Sequence, residues 1–368
     1  MDKRSYDGIC NGCPHGQKAY MKNEDQKIVD AIVTKSLREC PDSLDLVAVY
    51  GSAATGDTHE RSDLDLLILI GDEKGRVLAD GFILKDTMIG YDIYPTTWNM
   101  LLDDAQCNHP HLSKLLDSKI LYIRDKSVLI RLEEIQSKAR ETLSSRDRID
   151  KALSSLQKAK VALADCYLSE ELDKLRINSG IALEHAFDSL MLLNGRYYKL
   201  GTKRKFEELA SLDLTFDVRD EALSVINTEK AEDIRKNLSL LIKNICQLFE
   251  NIDVHTKEEP CKENICGTYE EIFSNWRGKM HESEEKGDVF SSFVNMLSFQ
   301  FMLDDIFDGV NISRINVMEK FTPHDLHRNT VSFENALDEY LKEYKKASIS
   351  PKIYNNVDEF TEEYLKGR

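Results

Sequence analysis

The chain has 368 residues, of which 65 are acidic and 49 basic, for a formal net charge of −16. That length corresponds to two or three domains of about 150 residues each, and 41% hydrophobic with 31% charged residues excludes a disordered polymer. So acidic a surface repels a phosphate backbone and argues against long nucleic acid as a partner. No run approaches the ~18 apolar residues of a membrane span. Residues 1–20 hold no signal-like apolar run, so the expectation is a cytoplasmic protein without a membrane partner.

Residues 1–19 read as an extension. It contains Cys10-x-x-Cys13-Pro14-His15, and a second close pair, Cys261 and Cys266, occurs far downstream. Four thiolates could hold zinc. Neither pair has the spacing of a metal-binding family, and two unrelated surface loops are the preferred reading. The eight cysteines are expected to be reduced.

Residues 24–39 carry Ile28, Ile32, Val33 and Leu37 at helical spacing and predict an amphipathic helix. Short apolar, β-branched runs follow at 44–50 (LDLVAVY), 64–70 (LDLLILI), 82–84, 88–94 and 119–123 (KILYI), which predict strands of a mixed sheet. Short helices are expected at 97–105 and 111–116. An α/β domain therefore spans 20–126.

From 127 to 368 the pattern is helical. No proline lies between Pro110 and Pro260, and that interval holds only Gly180, Gly195 and Gly201. Leu153, Leu156, Ala159 and Leu163 recur at three and four residues, and Asn194-Gly195 fits a helix stop. Residues 290–307, rich in phenylalanine, read as the core of a bundle or as a subunit interface compatible with a homodimer.

The chemistry concentrates in the α/β part. Gly51-Ser52 closes the first strand; ten residues after Ser52 comes Ser62-Asp63-Leu64-Asp65-Leu66, opening the second. Residues two apart on a strand share a face, so Asp63 and Asp65 project together. Two such carboxylates repel each other, and a divalent cation with a preference for oxygen, Mg²⁺, relieves the repulsion. Gly51 permits a tight turn, and Ser52 offers a hydroxyl and an N–H to a phosphate. Asp92, within Gly90-Tyr91-Asp92-Ile93-Tyr94, completes a three-carboxylate cluster if its strand lies beside that of Asp63 and Asp65. Such a cluster can hold two Mg²⁺ ions on a triphosphate.

This pattern resembles the signature of the DNA polymerase β-like nucleotidyltransferase superfamily. Its form is similar to the small-molecule branch that includes aminoglycoside nucleotidyltransferases. The resemblance covers about residues 45–95. It implies that Gly51 and Ser52 bind the triphosphate, that Asp63 and Asp65 are metal ligands, and that Asp92 is the third carboxylate. It also implies a helical domain after the catalytic one.

In the helical half, the most basic stretch runs from Gly195 to Lys205. Lys203 and Lys205, with Arg204 close behind, are candidates for the triphosphate; an ordinary solvated loop is the equal alternative. Glu184 and Asp188 lie one turn apart on the preceding helix. By resemblance Glu184 is a counterpart of the helical-domain base. His109 and His111 flank Pro110 in a stretch read as an incidental loop, and Ser274–Lys279 as helix-end packing.

The expected activity is Mg²⁺-dependent transfer of a nucleoside monophosphate from a nucleoside triphosphate to a hydroxyl of a small acceptor. An aminoglycoside-like polycation would suit so acidic a protein, and the activity would then confer antibiotic resistance. The acceptor's proton would go to Asp92 or to a helical-domain carboxylate. The alternatives are transfer to a protein hydroxyl and a non-catalytic nucleotide-binding interaction protein.

Overall fold

A computed structural model describes residues 23–56, 64–250, 252 and 257–366. Asp63, Cys10 and Cys13 lie outside the described residues. The chain divides into two compact units, Met1–Ile252 and Asp253–Arg368. The expected catalytic segment, 20–126, and the first part of the expected helical segment both fall in the first unit.

The first unit opens with α1 (Asn23–Glu39), which places Glu24 and Asp25 in its first turn and Arg38 in its last, as the helix dipole favours. Its apolar stripe, Val29, Ile32 and Val33, is buried in a core with Val47, Ile68 and Ile70. These last belong to β1 (Leu44–Val49) and β2 (Leu66–Ile70). Both strands are buried on two faces, which is why they read as continuous apolar runs rather than alternating ones.

Among the described residues the main sheet has the order β5-β2-β1-β6, with β5 at Pro95–Thr97 and β6 at Lys119–Ile123. β1 is antiparallel to β2 and to β6, while β5 runs parallel to β2. A separate hairpin joins β3 (Asp80–Leu84) to β4 (Ile89–Ile93). Its inner face carries Phe82 stacked on Tyr91, with ring centroids 5.1 Å apart. The strand beside β2 is thus β5, a three-residue strand the sequence pattern did not reveal. Asp92 sits on β4, which is hydrogen-bonded to β3 instead. The short turn between β3 and β4 favours that local pairing over the crossover expected from sequence.

Short helices connect these strands: α2 (Gly51–Thr55), α3 (Trp98–Asp104) and α4 (Ser113–Leu116). Asp45, at the start of β1, is 3% exposed and is held by two partners. Trp98 Nε1 donates to its Oδ2 at 2.6 Å, and Arg124 Nη1 lies 2.8 Å from its Oδ1. A carboxylate so buried requires such partners, and they close the sheet end opposite Gly51.

Three long helices follow, α5 (Lys126–Ser144), α6 (Asp147–Leu168) and α7 (Leu172–Leu193). The three-residue connection makes α6 and α7 an antiparallel pair. Their seam is built of small residues, Ala152, Ser155, Ala159 and Ala162 against Ser179, Ala182, Ala186 and Ser189. Ser189 Oγ donates across it to the Ala152 carbonyl at 2.9 Å. Asn194-Gly195 ends α7 as the sequence predicts: Gly195 has φ +62°, and Gly195 and Arg196 N–H bond back to Leu192 and Met191 carbonyls. Helices α8 (Lys205–Ala210), α9 (Val218–Ile226) and α10 (Ala231–Glu250) complete the unit.

The described part of the second unit is helical: α11 (Lys262–Ile265), α12 (Thr268–Ile272), α13 (Gly278–Lys286), α14 (Val289–Gly309), α15 (Leu326–Lys346) and α16 (Val357–Leu365). Its core is aromatic, with Phe299, Phe333, Tyr340 and Tyr344 fully buried. α14 divides its phenylalanines: Phe299 and Phe307 are buried, whereas Phe290 and Phe301 are exposed. Arg277 and His281 both meet Glu334, so that stretch packs onto α15. Cys261 and Cys266 bracket α11 as free thiols. Among the described residues no group of three or more His, Cys, Asp or Glu is arranged to hold a metal, and no helix is long and apolar enough to cross a membrane.

Candidate active site

The site begins where β1 ends. The β1–β2 register continues past Val49↔Leu66, and Tyr50 N–H donates to the Asp65 carbonyl at 3.0 Å. Gly51, at φ +62°, then turns the chain into α2 directly against the Asp65 side chain. Any β-carbon at Gly51 would collide with that carboxylate. Ser52 follows in the first turn of α2, and Gly51, Ser52 and Asp65 are all partly exposed. The structure therefore brings together Gly51, Ser52 and Asp65 from the expected set.

Asp92 approaches from the other side of β2. Counting three residues back along both strands from the parallel pair Ile68↔Pro95 reaches Asp65 and Asp92. Asp92 thus precedes β5 at the same end of the sheet at which Asp65 precedes β2. Its side is the exposed one of β4, between buried Tyr91 and Ile93. Two oxygen donors at this end suit a hard cation such as Mg²⁺.

β6 brings a third region to the same end. Lys119 pairs with Val49, so Asp117 and Ser118 lie level with Tyr50 and Gly51. Tyr197 OH donates to Asp117 Oδ1 at 2.9 Å, and Tyr198 N–H to the Pro110 carbonyl at 2.9 Å. These two bonds fasten the basic segment after α7 to the segment that leads into β6. Glu208 holds it from α8, accepting from Lys199 N–H at 2.7 Å and Leu200 N–H at 3.3 Å. Burial, and after it the Asp117 carboxylate, raises the pKa of Tyr197.

The two expected lysines differ. Lys205 is mostly buried, paired with Glu184, with its Nζ 5.1 Å from the Tyr198 ring centroid. Lys203 is exposed and makes no ion pair among the described residues. Glu184 therefore anchors a cation. A cavity of about 240 Å³ lies beside the segment, lined by Arg196, Tyr197, Lys199 and Glu208 among others. It is smaller than the ~300 Å³ at which cofactor pockets begin.

Buried polar atoms without a hydrogen-bond partner gather in the same region: Asp117 Oδ2, Ser118 Oγ, Asp188 Oδ1, Tyr198 OH and His109 Nδ1. Such atoms are rare in folded proteins, where most buried polar groups are paired with protein or water. The sequence pointed to Asp188 only through its spacing from Glu184, and gave no signal for Tyr198 or Asp117. Their relevance arises from contacts between segments about 80 residues apart.

No curated protein matches the chain. Among solved structures, it is similar to a nucleotidyltransferase-like protein from Exiguobacterium sibiricum 255-15, at 14% identity over 77% of this chain and 91% of that one, with a TM-score of 0.37. Domains of the nucleotidyltransferase family generally use divalent metal ions. Residues 33–179 match the family model for a nucleotidyltransferase domain, a span that contains Gly51, Ser52, Asp63, Asp65 and Asp92, and the match supports a nucleotidyltransferase.

Proposed function

We propose that this protein transfers a nucleoside monophosphate from a nucleoside triphosphate to a hydroxyl of a small acceptor, releasing pyrophosphate. The observation that carries the reading is the packing of Gly51 against Asp65 at the shared end of β1 and β2, inside the matched domain. In this reading Gly51 and Ser52 offer backbone N–H groups and a hydroxyl to the triphosphate. Asp63, Asp65 and Asp92 would hold Mg²⁺, which when bound neutralises charge on the phosphate oxygens. Lys203 and Lys205 lie on the segment fastened to this end of the sheet, where they stabilise the departing pyrophosphate. Glu184 fixes the Lys205 side chain.

The net charge of −16 favours a cationic acceptor, and an aminoglycoside-like polyamine alcohol is the class we infer. The test is pyrophosphate release with Mg²⁺ from each of the four nucleoside triphosphates, against aminoglycosides and neutral polyols. Acceptor-dependent release that Asp65→Ala abolishes supports the reading. Release that persists in Asp65→Ala, or binding of nucleotide without turnover on every acceptor, overturns it.

A further inference from the structure

The region where α7 meets the segment before β6 contains a pairing with the character of a general base. His111 has an imidazole 53% exposed, and its Nε2 lies 3.5 Å from Oδ1 of Asp188. Asp188 is itself only 8% exposed, and its Oδ1 makes no hydrogen bond among the described residues, so the contact with Nε2 is one of ion-pair distance. The ring of His111 rests on Tyr198, with centroids 4.9 Å apart at 33°. Tyr198 is 4% exposed, and its hydroxyl lies beside the same carboxylate. Burial first, and then Asp188, Glu184 and Glu208, raises the Tyr198 pKa, so the phenol stays protonated and neutral.

This arrangement determines what the imidazole can do. With the Asp188 carboxylate 3.5 Å from Nε2, the tautomer carrying its proton on Nε2 is the one that can donate to it, which leaves Nδ1 as the accepting nitrogen. The Tyr198 backbone bond to Pro110 fixes the residue immediately before His111. The other ionisable groups around it are His109 from its own segment, Glu184 beside Asp188 on α7, and Lys205 and Glu208 from α8. Of these, Lys205 and Glu184 neutralise each other, and His109 lies 3.5 Å from Asp104.

The position also fits. α4 leads from His111 directly to Asp117 and into β6 at Lys119, opposite Val49. β6 and β2 are separated by β1 alone, so their ends lie about 10 Å apart. His111 precedes α4, and an acceptor serving as substrate would span from its imidazole to a phosphate held at Gly51 and Asp65.

Resting on the transfer reaction above, we propose that His111, oriented by Asp188, is the base that accepts the proton of the acceptor hydroxyl. As the O–H bond breaks, its proton passes to Nδ1. The oxygen lone pair forms the new bond to the α-phosphorus, and the bond from that phosphorus to the pyrophosphate oxygen breaks with its electron pair. The imidazolium then returns its proton to water or to the product pyrophosphate.

The test uses the full chain with Mg²⁺, each nucleoside triphosphate and the acceptor panel. His111→Gln is expected to lower kcat by about 100-fold or more, with nucleotide affinity, read by fluorescent-analogue titration, within twofold of wild type. Added imidazole is expected to restore turnover in His111→Ala, which a structural role would not allow. Nitrogen-15 shifts of wild-type His111 should place the neutral-form proton on Nε2, and Asp188→Asn should release that preference while His111 stays folded in place. Wild-type turnover in His111→Gln, with Asp65→Ala inactive, overturns this proposal and leaves the transferase reading intact. A proton found on Nδ1 overturns the role of Asp188. Absence of transfer by the wild type on every pair of substrates overturns both readings together.

Discussion

A β-carbon on Gly51 would lie 2.0 Å from Oδ2 of Asp65, so the turn after β1 and the carboxylate before β2 share space that only glycine leaves open. The backbone at Gly51 adds a second requirement, because φ +62° strains any residue with a side chain. One residue thus sets both the path of the turn after β1 and the place of the Asp65 carboxylate.

Gly51→Ala is accordingly expected to destabilise the first unit by about 1–3 kcal/mol. Nucleotide affinity should fall by about tenfold or more, equivalent to ~1.4 kcal/mol. Urea unfolding and nucleotide titration of the same preparation separate the two effects. Unchanged affinity in the variant would remove the turn from the nucleotide site.

Glu184 and Lys205 give a second prediction, because their ion pair fits a glutamate that positions the lysine. Glu184→Gln should raise the nucleotide KM a few-fold by loosening Lys205, with kcat falling by less than about tenfold. Loss of a general base costs about 10²–10⁴-fold instead. A kcat loss in that range would transfer the base role from His111 to Glu184.

The cysteines can be sorted by their surroundings. Burial pushes the Cys107 and Cys166 thiols up to about 11. At pH 8 roughly 0.1% of each is thiolate, and neither is accessible. Iodoacetamide at that pH should label exposed Cys266 and spare Cys107 and Cys166 until the protein is denatured, as read by peptide mapping. Prompt labelling of Cys166 in the native protein would contradict the packing of α6 against α7.

Asp125 gives a dependence on acid. It caps α5, accepting from Ser127 N–H at 2.8 Å, and the Ser127 hydroxyl, followed by Arg124, holds its carboxyl down to about 2 from a usual 3.8. A carboxyl lowered in the folded state stabilises above its unfolded value, and that contribution disappears as the pH falls from about 4 to about 2. The stability difference between wild type and Asp125→Ala should therefore be constant above pH 5 and shrink toward pH 2. Urea midpoints at pH 7, 4 and 3 measure it, and a difference that grows on acidification would reverse the assignment.

Much of the first unit was legible from local pattern. The run 44–50 became β1 and 64–70 contains β2, because strands buried on both faces carry unbroken apolar residues. The helix stop at Asn194-Gly195 was legible because positive φ restricts the choice of residue. β5 was not legible: three residues beginning with proline carry no alternation, and only the edge of β2 makes them a strand. The partner of β4 was equally hidden, since a strand's sequence does not state which edge it joins. Expectations at Asp63, Cys10 and Cys13 concern residues outside those described.

Neighbouring residues are enough to specify the α/β-then-helical order and the Gly51, Ser52 and Asp65 constellation, because a turn and two strand ends are local features. The meeting of His111 with Asp188 and Tyr198, and of Lys205 with Glu184, follows from long-range packing, as does the fastening of the Tyr197–Tyr198 segment to the one that leads into β6. Those partners are brought together by the packing of α7 and by the bonds of Tyr197 and Tyr198 to Asp117 and Pro110. Contacts of that kind depend on where helices dock, and the spacing of residues along a chain does not encode them.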